Sequence, residues 1–254
     1  MMRLIRAEVR KLATIRLWLW ILLAAAAWTA GYTALAVGFS GRPSSLTLPL
    51  TGAAGQHALL AIGAGGAGPL VAILGAIGMT SEYRHKTAAA TFLATPRRGR
   101  VVTAKLVTCL LAGAGYGLLC DLLSLAVAVP WLTARDIHLP LAGNGNLAVL
   151  AAVIASASVF AVAGAGLGAL AGGQLATVTS LLIYLYVAEP LLTHIAALQD
   201  WTAYLPGVAA DALTQATQAG VTLLAPWLGG IVFAAWTAAL AAAGTLRTLR
   251  RDVT

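Results

Sequence analysis

The chain has 254 residues, 60% of them hydrophobic and only 9% charged, with a formal net charge of +8 and a mean hydropathy of +0.87. A soluble domain carries about a quarter charged residues, so composition excludes an ordinary soluble enzyme. The basic excess is not arranged as a solvated groove interleaved with aromatics, as nucleic-acid binding would require.

Residues 1–16 read as an amphipathic helix lying in the membrane interface. Leu4, Ile5, Val9, Leu12 and Ile15 share one arc, with Arg3, Arg6 and Arg10 opposite. Glu8 falls inside the apolar arc, which predicts contact with protein there and not only with lipid. The competing reading is plain basic flanking sequence that sets orientation.

Six apolar runs follow, at 17–37, 59–79, 107–129, 147–170, 175–195 and 223–244. About 18 or more apolar residues cross the hydrocarbon core as a helix, and the short alternating segments of a β-barrel are absent. The expected fold is therefore all-α: one polytopic membrane domain over 1–254, with six transmembrane helices and an interfacial N-terminal helix. The first run exceeds the ~7–15 residues of a signal-peptide core and follows sixteen other residues, so it reads as a retained span.

Basic residues in short loops orient such a bundle. Arg3, Arg6, Arg10, Lys11 and Arg16 precede the first run. Arg84, Lys86, Arg97, Arg98, Arg100 and Lys105 lie between the second and third, and Arg247, Arg250 and Arg251 follow the sixth. An even number of spans puts these fourteen of sixteen Lys and Arg residues on one side, predicted to be the cytoplasm of a plasma-membrane protein. Both termini then lie inside, and the basic clusters meet anionic lipid.

The loop from 40 to 58 is rich in Gly, Ser and Pro and too short to fold alone. The loop 80–105 is the longest on the basic side. Ser81 is a plausible N-cap there for a short helix over 81–93, with Glu82 in its first turn. Pro96 would stop that helix, and the basic run 97–105 would anchor the third span at an anionic leaflet. Gly172-Gly173 makes spans four and five antiparallel neighbours. The segment 196–222 carries Asp200-Trp201, Tyr204-Leu205-Pro206 and a polar stretch, and predicts short helices or re-entrant turns at the far interface.

Gly63-Ala64-Gly65-Gly66-Ala67-Gly68 matches a dinucleotide-binding expression, but it lies inside an apolar span with no strand before it. Gly113–Gly117, Gly164–Gly168 and Gly168–Gly172 are small-xxx-small pairs suited to close helix contact. Cys109 and Cys120 are about 16 Å apart on one helix and cannot pair. His57, His85, His138 and His194 are scattered, which argues against a metal cluster. A P-loop needs Gly-Lys-Ser/Thr, yet none of Lys11, Lys86 and Lys105 follows a glycine.

Two acids lie at membrane depth, where an ionisable group is a functional candidate. Asp121, about 24 Å along the helix from Lys105, falls in the half of the bilayer opposite the basic loops. Either it bonds a facing Ser, Thr or Tyr, or it has a transport role. Glu189 precedes Pro190, which frees a backbone carbonyl. Glu189 sits either at the far interface or in a cavity opening there.

Glu82-Tyr83-Arg84, then Thr87, then Thr95-Pro96-Arg97-Arg98 and Lys105 together resemble the signature loop of ABC-2 type permeases, the membrane subunits of type-2 ABC exporters. Arg6-Ala7-Glu8-Val9-Arg10-Lys11-Leu12 resembles the elbow helix that opens many members, and Leu205-Pro206 an element many carry outside span five. Lys86 departs from the pattern, since many relatives have glycine there. The resemblance implies two permease copies with two copies of a separate ATPase subunit that binds the ATP and Mg, and no enzymatic role for this chain. It implies ATPase contact at Glu82, Tyr83, Arg84 and Thr87, flanked by Pro96, Arg97 and Arg98. Glu8, with Arg10 and Lys11, would orient the elbow helix. The rival expectations are an ion- or proton-coupled carrier using Asp121 and Glu189, and a non-transporting immunity or sensor subunit.

Overall fold

The computed structural model describes residues 1–14, 16–40, 48–84, 98–216 and 221–250, with backbone alone at 82–84, 98, 196, 249 and 250. It is an all-helical bundle with no strand among the described residues, and six of its helices are long and apolar enough to cross a membrane.

The amphipathic α1 (Met2–Thr14) meets α2 (Leu17–Phe39) at a tight corner, where the Trp18 indole donates to the Ala13 carbonyl at 3.1 Å. In α2, Ile21, Ala25, Thr29, Thr33 and Val37 recur every fourth position and form the buried stripe. Trp20, Leu23, Trp28, Tyr32 and Leu35 are exposed on the remaining surface, the surroundings expected of a peripheral membrane helix.

The second span starts earlier than its hydropathy suggests. Part of the presumed 40–58 loop is helical: α3 (Ala53–Leu60) leads through Ala61 into α4 (Ile62–Arg84). A polar network far from the chain's apolar signal holds α3 in place. Gln56, 2% exposed, accepts from Asn146 at 3.1 Å and from Asn144 at 3.3 Å, and donates to the His138 carbonyl at 3.1 Å.

The third span, α5 (Arg98–Thr133), has 36 residues. At about 1.5 Å per residue it is roughly 54 Å long, well beyond a hydrocarbon core of about 30 Å. Its extra length absorbs residues 98–105, which were expected to be loop. At the other end Arg135 donates to the Val37 carbonyl at 2.6 Å, a cation on the open carbonyls closing α2.

Helix α6 (Asn146–Ala171) runs through the centre, packed on α4, α5 and the last span, α11 (Pro226–Arg250). Glycine makes this density possible. A Cβ on Gly164 would strike the Ala72 carbonyl, and one on Gly113 would lie 2.5 Å from the Ala157 carbonyl oxygen. Gly113, Gly117, Gly164 and Gly168 thus sit at helix–helix contacts. Gly172 instead ends α6 in the left-handed conformation, at φ 74°.

The fifth span contains a π turn. α7 (Gln174–Ile183) passes through a π turn (Tyr184–Ala188) into the short α8 (Glu189–Thr193). A 3-10 turn (Ala196–Leu198), α9 (Gln199–Thr202) and α10 (Pro206–Thr214) follow, and α10 packs against α11 and α6.

The two ends of the bundle differ. α1, the end of α4, the start of α5, the Gly172 turn and the end of α11 share one end, fixed by Leu12 near Gly78 and by Arg247 donating to the Leu170 carbonyl. That end carries most of the basic residues.

Candidate functional site

At the basic end, Leu4, Ile5, Glu8 and Leu12 form the inward side of α1, while Val9 is exposed, so the inner stripe repeats every fourth residue and leaves the predicted arc. Glu8 is the buried residue of this helix, 8% exposed. Its Oε1 lies 2.7 Å from the Lys11 ammonium, one turn on, and its Oε2 lies 2.7 Å from the Lys105 ammonium of α5. Lys105 is 6% exposed, so the pair is withdrawn from water. Removing one partner from such a pair strands a buried charge and costs far more than losing a surface pair. The bridge pins α1 across the base of the third span. Arg10, by contrast, is exposed, and Lys11 is about half-exposed at its side chain.

Glu82, Tyr83 and Arg84 form the last turn of α4, and Arg98 is the first residue of α5. Thr87, Pro96 and Arg97 lie outside the described residues, as does most of the expected helix over 81–93. The start of that helix requires correction. Ser81 caps nothing: it lies inside α4, and its Oγ donates back to the Gly78 carbonyl at 3.2 Å. Met79 and Thr80 are buried against the bundle, so packing carries α4 past the position where a local cap signal suggested a new start.

Asp121 is 3% exposed, and neither carboxylate oxygen accepts a hydrogen bond among the described residues. The expected Ser, Thr or Tyr partner is therefore not there. The reason is local: the facing position on α4 is Gly63, which has no side chain to offer a hydroxyl. The nearby hydroxyls of Thr33 and Ser124 bond each other instead, at 3.3 Å.

At the opposite end, Glu189 is 5% exposed and reaches across to the amino end of α10, where its Oε1 accepts the Val208 N–H at 2.8 Å. This is a helix cap supplied from nineteen residues away, with the carboxylate on the positive end of the helix. Pro206 fits the first turn of α10, where its missing N–H costs nothing. Gly207 leaves room for this cap, because a Cβ there would lie 2.6 Å from Glu189 Oε2 and the carboxylate would have to shift. Glu189 borders a cavity of about 470 Å³ between α4, α6, the π turn and α10.

Sequence reasoning missed three groups: Lys105 as the partner of Glu8, the Gln56–Asn146 network, and Gly207 beneath Glu189. Only the first left a signal, an acid within an apolar arc. Among the described residues no three His, Cys, Asp or Glu side chains gather as a metal site. Comparison of the chain with family models, curated proteins and solved structures gives no match.

Proposed function

We propose that this protein is the permease subunit of an ATP-driven exporter in the plasma membrane, with both termini in the cytoplasm. Two copies would form the path for a hydrophobic or amphipathic substrate, such as a drug, lipid or peptide. Two copies of a separate ATPase subunit would bind ATP and Mg, since no lysine here can serve a P-loop.

The observation that carries this reading is the Glu8–Lys105 bridge at the base of α5. It braces the interfacial helix against the helix that leaves the segment 85–97, the segment carrying the permease-like signature. α4 enters that segment at Arg84 and α5 leaves it at Arg98, and both run unbroken into the bundle. A push on the segment is thus delivered to two rigid rods, one of them clamped to α1. The exposed apolar faces of α2 and α7 are left for lipid and for the second copy.

Reconstitution tests the reading. Vesicles holding the chain and its ATPase should accumulate or expel a lipophilic dye only with Mg-ATP. Transport by the chain alone, driven by an ion gradient, would contradict it. A second reading, an ion- or proton-coupled carrier, is favoured by one observation, the unbonded carboxylate of Asp121, and predicts that outcome.

A further inference from the structure

The cavity beside Glu189 has a chemical bias that its apolar setting does not require. Pro69 lies inside the continuous α4 and cannot donate, so the carbonyl of Gly65 one turn back loses its helical partner. Pro190 does the same to a carbonyl in the π turn at Leu185–Tyr186. Gly65, Pro69, Leu185, Tyr186 and Pro190 all line this one cavity. So does Ser156, which is 0% exposed and whose Oγ has no hydrogen-bond partner among the described residues.

Two carboxylates complete the wall. Glu189 spends Oε1 on the Val208 N–H, and its carboxylate also lies against the Gly207 N–H and the Tyr184 hydroxyl. The positive end of α10 favours negative charge at that position. Asp211, one turn further along α10, borders the same space. No Lys or Arg does so among the described residues. The rest is apolar, with Phe160 and Val208 foremost, and Phe160 is held edge-on by Phe233 at 4.7 Å.

We infer that this cavity binds an amphipathic organic cation, its charged head against Glu189, Asp211 and the released carbonyls and its apolar body against Phe160 and Val208. An anion would face two carboxylates with no Lys or Arg beside them among the described residues, and only the hydroxyls of Ser156, Tyr186 and Thr193 and the His194 ring to donate to it. A bare metal ion would need some six or more oxygens closing on it at about 2.4 Å, whereas about 470 Å³ is the size of a site for a drug-sized molecule. An aromatic ring face adds cation–π attraction for a desolvated charge. The inference deepens the export reading by naming the class of cargo and rests on that reading for the word cargo. The binding itself is a property of this chain alone.

The test is titration of the purified chain with tetraphenylphosphonium and, in parallel, with tetraphenylborate, which has the same shape and the opposite charge. Saturable binding of the cation and none of the anion is expected. Glu189→Gln keeps an oxygen for the Val208 N–H but removes the charge, and should weaken cation binding roughly tenfold or more. Asp211→Asn, which leaves the α10 cap intact, should weaken it in the same direction and decides the matter should Glu189→Gln misfold. Equal binding of both ions, undiminished binding in a folded Glu189→Gln or in Asp211→Asn, or displacement of the cation by millimolar Na⁺ or Mg²⁺ would overturn the inference. None of these results bears on whether an ATPase drives the chain.

Discussion

Glu8 and Lys105 are 97 positions apart in sequence and 2.7 Å apart in space, and both are buried. The carboxylate also holds Lys11, so one acid offsets two cations at the corner where α1 crosses the base of α5. Lys105→Met should therefore loosen the corner, lowering stability by about 1–3 kcal/mol, because Glu8 then keeps only the half-exposed Lys11 as its partner. Thermal unfolding in detergent reads this. Glu8→Gln placed on top should recover part of the loss, because the remaining buried charge is then gone. Strict additivity of the two changes would show that the pair is not coupled.

Gly207→Ala should destabilise the protein although it adds a single methyl group. That methyl would fall 2.6 Å from Glu189 Oε2 and drive the carboxylate off the α10 amino end. The expected cost is about 1–3 kcal/mol, from overpacking together with the lost cap. Glu189→Ala, losing the cap alone, should cost about 1 kcal/mol. The order of the two melting temperatures checks the geometry.

Gly164→Leu should prevent assembly of the bundle, since even a Cβ collides with the Ala72 carbonyl where α4 and α6 touch. Gly115 has open space at its Cβ position, so Gly115→Ala on α5 should be nearly neutral, within about 0.5 kcal/mol. The contrast between these two glycines, in expression and melting temperature, separates close packing from mere glycine richness.

Asp121→Asn should leave ATP-driven transport intact. The unbonded, buried carboxylate stabilises nothing visible among the described residues, and an amide there carries no charge to desolvate. The melting temperature should stay level or rise. Loss of transport with an intact fold would favour the ion-coupled reading.

Much of this fold was legible before the structure. Six runs of apolar residues give six membrane-length helices, because length and hydropathy alone select a spanning helix. Gly172-Gly173 marked its turn correctly, since a left-handed helix end favours glycine. Glu8 was visible as an acid in an apolar arc. Its partner Lys105 was not, because periodicity locates a face and says nothing about which residue of another helix meets it. The same limit hid the Glu189–Val208 cap and the Gln56 network, both made between elements far apart in sequence. Ser81 misled because local capping chemistry was overruled by tertiary packing of α4 on α6. Asp121 misled because its facing residue is a glycine, which offers space but no hydroxyl.

The central claim is that an ATPase outside this chain grips the segment entered at Arg84 and left at Arg98. The direct measurement is copurification of that ATPase with the tagged chain and with its Glu82→Lys variant, with membrane insertion monitored in both. The account predicts an ATPase bound to the unaltered chain and lost from a variant that still inserts. Undiminished recovery with Glu82→Lys, or no nucleotide-hydrolysing subunit with either, would contradict it.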